Sequence, residues 1–245
     1  MTTAITDTGG RLSSVADLLA RTDDAMQRGI RPGAAVVPTG FSVLDDALEG
    51  GLRSGELVLL GGPQGLGKTT MVMQMVRNVV RNGGSAVVFS FEHEGHTLLE
   101  RLLSLEASLG AGADAARLQA IRGVFERSGL PGLTLEERLA HLRGVPEGLQ
   151  TMHMYASRLH IHESTGATTD LEEIRRTAST LQTEDSRPPL VVVDYLQKVP
   201  VPGGPATEEE RVTVVVERLK DLTLSLGEGS SYPQDQPSPE VPPAG

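Results

Sequence analysis

Apolar residues recur along the chain with two spacings, and each spacing predicts one kind of element. Repeats of three and four residues, typical of one helix face, predict helices over residues 12–28, 41–48, 68–82, 96–109, 171–181 and 208–226. Short apolar or alternating runs predict strands over residues 56–60, 85–91, 159–162 and 190–194. The order strand, helix, strand over residues 56–91 indicates a βαβ unit whose two strands are parallel. The pattern therefore predicts an α/β fold with a mostly parallel sheet.

The same pattern divides the chain into three parts. Residues 1–37 form an extension with one helix, whose apolar stripe must pack either on the main domain or on a neighbouring subunit. Residues 38–226 form the main domain, in which the mostly helical tract 107–158 carries no chemical motif. From Gly227 onward, glycine, serine and proline replace the apolar repeat, so residues 227–245 are predicted to be disordered, as are the first ten residues.

Composition narrows the class of protein. The chain of 245 residues has no cysteine, which excludes disulfides and thiolate zinc sites. No apolar run approaches the roughly 20 residues that a membrane helix needs, and no signal peptide precedes the first helix. We therefore expect a cytoplasmic protein with no membrane contact. The net charge of −10 does not attract nucleic acid, so any DNA contact requires a local basic patch or a channel made by several subunits.

The segment between the predicted strand 56–60 and the helix 68–82 has the phosphate-binding pattern G-x-x-x-x-G-K-T. Backbone N–H groups of such a loop, together with the start of the following helix, converge on the phosphates of ATP. The predicted nucleotide-binding residues are Gly62, Pro63, Gln64, Gly65, Leu66, Gly67, Lys68, Thr69 and Thr70. Lys68 supplies a positive charge to the outer phosphates, and the Thr69 hydroxyl is a ligand for Mg²⁺.

Two acidic residues at predicted strand ends complete the candidate site. Asp194 follows four apolar residues, and such a continuous apolar run is typical of a strand buried on both faces. Its carboxylate therefore emerges at the sheet edge where nucleotides bind, and we expect it to hold the metal.

Glu92, at the end of strand 85–91, is the candidate that orients and deprotonates the attacking water, with Glu94 as the weaker alternative. The pair His160 and His162 lacks ligand spacing, so no metal site is expected there.

These segments resemble the RecA-like motor domain, and in particular the C-terminal domain of DnaB-type replicative helicases. The resemblance rests on Thr39–Asp45, on Gly50–Leu57 with the phosphate loop, on Phe89–Glu92 and on Asp194–Gln197. It implies a three-layer α/β/α P-loop NTPase that uses ATP and Mg²⁺. It further implies Glu92 and Lys68 as catalytic residues, Thr69 and Asp194 as metal residues, and hexameric rings that unwind or translocate on single-stranded DNA.

The resemblance ends after the helix 208–226. In the family, that helix leads into a strand with a polar sensor residue, which lies between the phosphate-loop strand and the aspartate strand. No such strand, later DNA loop or trans-acting arginine is assignable here, so we expect an incomplete sheet. Either the flanking strands close up, or another chain fills the gap, or the domain folds poorly. A shifted reading frame near Gly227 is one hypothesis for the change; an uninterrupted frame in close relatives of the source would refute it.

Three functions are therefore compatible with the sequence. The first is an ATP-dependent DNA motor of the DnaB type, which Asp194–Gln197 favours. The second is a RecA-like ATPase of the RadA or KaiC type without unwinding. The third is a nucleotide-binding protein without turnover, which the loss of the C-terminal elements favours. ATP binding is common to all three.

Overall fold

The computed structural model describes residues 12–29, 33–126, 131–182, 188–204 and 207–227. The chain divides into one unit formed by residues 1–34 with 231–245, and a second formed by residues 35–230. Residues 1–10 and 228–245, which are predicted to be disordered, lie outside the described residues. The prediction is wrong at Gly227, which is the last residue of the final helix of the described chain.

The first unit contains one helix, α1 (Val15–Gln27), which confirms the predicted helix. It begins with a capping box, in which the Ser14 hydroxyl accepts the Asp17 N–H at 3.1 Å and Asp17 accepts the Ser14 N–H in return. None of its residues is buried. That its apolar stripe packs on the main domain or on a neighbouring subunit stays a prediction.

The second unit opens with a small antiparallel hairpin that the sequence pattern did not predict. Strands β1 (Val36–Val37) and β2 (Leu52–Arg53) pair with each other across the predicted helix α2 (Ser42–Ala47). Asp45 accepts three hydrogen bonds, from the backbone N–H groups of Thr39 and Gly40 and from the Thr39 hydroxyl. These bonds tie the turn at Thr39 and Gly40 to α2, with Thr39 buried.

The remaining elements follow the predicted order with small shifts at their ends. In chain order they are α3 (Lys68–Arg81), β3 (Ala86–Ser90), α4 (Gly95–Ala111), α5 (Leu118–Glu126), α6 (Leu135–Leu139), α7 (Val145–His153), β4 (Leu159–Glu163), α8 (Leu171–Leu181), β5 (Leu190–Asp194) and α9 (Glu208–Gly227). The Asp170 carboxylate caps α8 by accepting the Glu173 N–H at 2.9 Å.

Among the described residues, the main sheet has three parallel strands in the order β4–β3–β5. The register places Glu163, Ser90 and Asp194 side by side at the carboxyl ends of the strands. Helices α3, α4, α5 and α7 contribute to the core on one face, and α8 and α9 to the core on the other. The predicted α/β layers are therefore present.

The predicted strand over residues 56–60 is wrong. These residues are not part of a sheet, and Val58, Leu59 and Leu60 are 54, 57 and 44 % exposed. The predicted βαβ unit over residues 56–91 consequently does not form. An apolar run becomes a strand only when a neighbouring backbone accepts its hydrogen bonds, and no described strand lies beside this segment.

The expectation that residues 190–194 are buried on both faces is also only partly met. All five residues of β5 are half-buried. By contrast, all five residues of β3, which has a strand on each side, are buried. The difference arises because β5 is an edge strand in the described structure.

A buried charged network joins α3 to α4 and to the turn that follows α7. The Arg77 guanidinium donates to both oxygens of Glu106 at 2.7 Å, and the Tyr155 hydroxyl donates to the same carboxylate at 2.7 Å. Burial is the largest single influence and would lower the pKa of Arg77, but the hydrogen bonds and charges of Glu106 and Tyr155 together outweigh it, and the pKa is raised. The network fixes the helix that carries the phosphate loop against the rest of the core.

Within the described residues, no helix is long and apolar enough to cross a membrane.

Candidate nucleotide-binding site

The phosphate loop is an exposed turn that leads directly into α3. Gly65 and Gly67 have φ of +83° and +85°, which side-chain-bearing residues rarely adopt. Gly67 occupies the position before the first helical residue, so the free N–H groups of the first turn of α3 point toward the loop. Residues 61–67 are all exposed. The loop therefore presents its backbone to an incoming anion, as the pattern predicts.

The Lys68 side chain folds back over this loop. Its ammonium group donates to the carbonyl oxygens of Gly62 at 2.8 Å and Pro63 at 2.9 Å. Carbonyl oxygens are neutral acceptors, and phosphate oxygens are charged and form stronger hydrogen bonds. The lysine thus sits where it can exchange one set of oxygen partners for the other when a phosphate enters the loop.

Thr69 and Asp194 meet across 125 residues of sequence. The Thr69 hydroxyl, in the first turn of α3, donates to a carboxylate oxygen of Asp194, at the end of β5, at 2.8 Å. A hydroxyl and a carboxylate are the hard oxygen donors that Mg²⁺ prefers, and Mg²⁺ keeps several waters and phosphate oxygens as its other ligands. The donor set fits Mg²⁺, and the described residues contain no group of three or more histidine and acidic side chains that would hold a metal alone.

Glu92 lies at the same edge of the sheet. The Phe91 N–H donates to the Asp194 carbonyl oxygen at 2.8 Å, so the chain leaves β3 beside the end of β5. Glu92 is exposed, and its carboxylate makes no hydrogen bond to a described residue. Glu94 directly precedes α4 but does not cap it with its side chain. Both predicted acidic residues therefore remain available, and Glu92 is the closer in sequence to the strand end.

A third acidic residue at this edge was missed by sequence reasoning. Glu163, the last residue of β4, accepts the Gly95 N–H at 2.7 Å and so caps α4 from another strand. Its position at the end of a strand was the available signal. Because its carboxylate is already used to cap α4, its role is structural. The neighbouring His162 contacts the Ser164 hydroxyl at 2.9 Å, and its ring centroid lies 5.0 Å from that of Phe89; that this histidine binds no metal stays a prediction.

The segment before the loop is anchored by α9, which the sequence also did not reveal. Lys220 and Thr223 both donate to the Gly55 carbonyl oxygen, at 2.8 and 3.0 Å. Residues 56–68 are therefore held at both ends, by the bonds from α9 to Gly55 and by the bond between Thr69 and Asp194.

Comparison with known proteins agrees with this geometry. The model of the family described as DnaB-like helicase C terminal domain matches residues 36–227. This chain belongs to that family. The matched range includes the phosphate loop, Glu92 and Asp194, of which the loop residue Thr69 and Asp194 are in contact.

Curated relatives of this DnaB-like domain are longer proteins named as replicative DNA helicases. The replicative DNA helicase DnaB of Helicobacter pylori strain J99 is 25 % identical over 193 residues, which are 78 % of this chain and 34 % of the relative. That of Pasteurella multocida strain Pm70 is 26 % identical over 197 residues, which are 79 % of this chain and 37 % of the relative. The chain thus spans little more than a third of the relatives it matches.

Solved structures show the same fold for this DnaB-like chain. The ATPase domain of G40P superposes with a TM-score of 0.66 at 17 % identity, covering 89 % of this chain and 69 % of that one. A DnaB-like replicative helicase, solved in a study of its interactions with primase, superposes with a TM-score of 0.62 at 17 % identity, covering 90 % of this chain and 48 % of that one. The fold class predicted from the sequence is therefore confirmed.

Proposed function

We propose that this chain is an ATP-driven motor domain of the DnaB type, which couples ATP hydrolysis to translocation on or unwinding of DNA. The observation that carries the proposal is the hydrogen bond between Thr69 and Asp194. It joins the phosphate loop to the predicted metal-holding strand end, as a site for a magnesium–nucleotide complex requires.

In this proposal each residue has a defined task. Backbone N–H groups of Gly62–Thr70, apart from Pro63, which has none, bind the phosphates. Lys68 leaves the Gly62 and Pro63 carbonyls to contact the outer phosphates. The Thr69 hydroxyl and, through water, the Asp194 carboxylate would hold Mg²⁺, which would neutralise charge on the phosphate oxygens. Glu92 orients the attacking water and accepts its proton.

The DNA partner and the ring are proposed from family membership. The family model covers residues 36–227, and related proteins are named as replicative DNA helicases. The net charge of −10 argues against binding of DNA by the surface as a whole. A channel formed by several subunits, as in a hexameric ring, satisfies both observations.

The first experiment tests nucleotide binding. Titration of the chain with a fluorescent ATP analogue in the presence of Mg²⁺ should give saturable binding. Lys68→Ala should weaken binding by at least about tenfold, because a charge-assisted hydrogen bond to phosphate is lost. Lys198→Ala removes an exposed lysine of equal charge outside the loop and should bind as the native chain does. Equal loss in both variants, or no loss in either, would show that the site is wrongly assigned.

The second experiment tests turnover and the DNA partner. ATP hydrolysis is measured with and without single-stranded DNA for the native chain, for Glu92→Gln and for the neighbouring Glu94→Gln. We expect DNA to stimulate the native chain, Glu92→Gln to bind ATP with little hydrolysis, and Glu94→Gln to keep its activity. Hydrolysis by Glu92→Gln at the native rate would refute the role of Glu92.

A second candidate function is nucleotide binding without turnover. It is favoured by the exposed segment 58–60, which leaves the phosphate loop without a strand behind it. ATP binding by the native chain with no hydrolysis, at any DNA concentration, would select this candidate.

A further inference from the structure

Three polar residues end the three strands of the main sheet, and all three lie on the same face of that sheet. They are Glu163 of β4, Ser90 of β3 and Asp194 of β5, which the register places side by side. The residues two and four positions earlier in each strand belong to the core cluster of α3 and α4. Since alternate residues of a strand share a face, the three end residues also lie on the side of α3 and α4.

Two of these side chains have partners in other elements. Asp194 accepts a hydrogen bond from Thr69, and Glu163 accepts one from the Gly95 N–H. Ser90 is the polar residue of an otherwise apolar strand, and it is 3 % exposed. A buried hydroxyl is costly unless it forms hydrogen bonds, so the partners of this hydroxyl indicate its role.

The Ser90 hydroxyl binds both backbone groups of one residue, His93. It donates to the His93 carbonyl oxygen at 2.7 Å and accepts the His93 N–H at 3.1 Å. These two bonds close a turn over residues 90–93, and Glu92 lies inside that turn. Within the part of the chain that the structure describes, residues 92 and 93 form no other hydrogen bond.

Both ends of the segment that carries Glu92 are fixed by the neighbouring strands. At its start, the Phe91 N–H donates to the Asp194 carbonyl oxygen at 2.8 Å. At its end, the Gly95 N–H donates to the Glu163 carboxylate at 2.7 Å, and a Cβ added at Gly95 would lie 2.7 Å from the same carboxylate oxygen. The serine hydroxyl therefore holds the middle of a segment whose two ends are already fixed.

We propose that Ser90 is a positioning residue for Glu92 in ATP hydrolysis. This role rests on the function proposed above, in which Glu92 accepts a proton from the attacking water. A general base acts only when its oxygen lies about 2.6–3.2 Å from the proton's heavy atom, and a displacement of about 1 Å can lower the rate about a hundredfold. By closing the turn, Ser90 fixes the backbone from which the exposed Glu92 side chain extends.

A serine that only completes the fold would have a different effect from a positioning residue. Loss of a structural hydroxyl lowers stability, and it changes nucleotide binding and turnover together. Loss of a positioning hydroxyl lowers turnover and leaves binding unchanged. The two roles are separable here because the Ser90 hydroxyl contacts His93 and no residue of the phosphate loop.

The first measurement compares turnover with binding. Ser90→Ala removes the hydroxyl and leaves a small residue in β3, and Ser108→Ala is the matched control. The Ser108 hydroxyl also donates to a backbone carbonyl, that of Ser104 at 2.8 Å, but near the other end of α4. With Mg²⁺ and single-stranded DNA present, we expect Ser90→Ala to lower kcat for ATP about 10- to 100-fold. Its Kd for a fluorescent ATP analogue should stay within about twofold of the native value, and Ser108→Ala should match the native chain in both.

The second measurement combines Ser90→Ala with Glu92→Gln. If Ser90 acts through the Glu92 carboxylate, its hydroxyl has nothing left to position once that carboxylate is neutral. The double variant should then hydrolyse ATP within about twofold of the rate of Glu92→Gln alone. Single turnovers of radiolabelled ATP followed over hours measure such slow rates. A further fall of about tenfold in the double variant would show that Ser90 acts elsewhere, and would overturn the proposal.

The third measurement follows the turn without any turnover. Amide hydrogen exchange is recorded by NMR for the native chain and for Ser90→Ala. The His93 amide should exchange at least about tenfold faster in the variant, because its acceptor is lost. The amides of Phe91 and Gly95, which are bonded to other strands, should keep their native rates. Unchanged exchange at His93 would overturn the proposal, whether or not the chain hydrolyses ATP.

The three measurements separate a failure of this role from a failure of the proposed function. Hydrolysis by the native chain with an equal kcat in Ser90→Ala would overturn the positioning role alone. Equal loss of binding and turnover in Ser90→Ala would assign the serine a general structural role instead. No hydrolysis by the native chain would overturn the proposed turnover and the positioning role together, and exchange at His93 would then show only whether Ser90 holds the turn.

Discussion

Neutralising Glu106 should destabilise the protein more than any exposed carboxylate does. The Glu106 side chain is 2 % exposed and that of its partner Arg77 is 8 % exposed. Glu106→Gln keeps the shape of the side chain but leaves the guanidinium charge buried without a counter-charge. The lost interaction ties α3, the helix that begins at the phosphate loop, to α4.

The magnitude follows from burial. Removing one partner of a buried ion pair costs about 3–5 kcal/mol, because the other charge remains desolvated. That is a large part of the roughly 5–15 kcal/mol by which a domain is stable. Tyr155→Phe removes one hydrogen bond to the same carboxylate, which costs about 1.5–3 kcal/mol. Replacing the pair by apolar residues, as in Arg77→Met with Glu106→Leu, removes both charges and should recover most of the loss.

Urea unfolding followed by circular dichroism measures these free energies. The slope of the unfolding free energy against urea concentration should be the same in all variants. The control is Glu172→Gln, which breaks an exposed pair with Arg175 within α8 and should not change the midpoint measurably. The reasoning is refuted if Glu106→Gln unfolds at the native midpoint. It is also refuted if the apolar double variant is no more stable than Glu106→Gln, since the cost would then not come from an unpaired charge.

Three further predictions concern helix ends, glycine positions and pH. Asp170→Ala should lower the free energy of unfolding by about 1 kcal/mol through loss of the α8 cap, and an unchanged urea midpoint would contradict that role. Gly144→Ala should destabilise by about 1–3 kcal/mol, because Gly144 has φ of +78° and an added Cβ would lie 2.8 Å from the Ala111 side chain. The matched Gly110→Ala, in α4 with open space around it, should instead stabilise by about 0.5–1 kcal/mol. If both variants changed the free energy of unfolding in the same direction, the space around the Cβ and the φ angle would not explain the effect. Burial, followed by the bond to Glu106, raises the pKa of Tyr155, so this phenol stabilises the fold fully below the unfolded-state pKa of about 10 and loses that contribution as pH rises above it. Unfolding free energies from pH 9 upward should therefore fall more steeply in the native chain than in Tyr155→Phe, and parallel curves would contradict it.

The chemistry of the site was predictable from local sequence. The phosphate loop is a contiguous pattern, because its backbone turns at Gly65 and Gly67 and its lysine follows directly. Asp194 was recognisable as the polar residue that ends an apolar run. The bond between Thr69 and Asp194 follows from these two predictions once both strand end and loop are placed at one edge of the sheet.

Contacts between distant residues were not predictable in this way. Nothing in the sequence near Arg77, Glu106 or Tyr155 indicates that these three side chains meet, since 29 and 49 residues separate Glu106 from its partners. The capping of α4 by Glu163 is of the same kind. Such contacts depend on how helices and strands pack, and single positions carry no periodic signal for them.

The sequence alone determined which segments are helical, which apolar runs have strand character and which residues form the phosphate-loop pattern, because these depend on neighbours within a few residues. Only the tertiary structure decided which apolar runs are strands. Residues 190–194 and 56–60 are both apolar and of strand length, yet only the first pairs with a neighbour. A strand is stabilised by hydrogen bonds to a second backbone, and whether that backbone is present is a property of the whole fold.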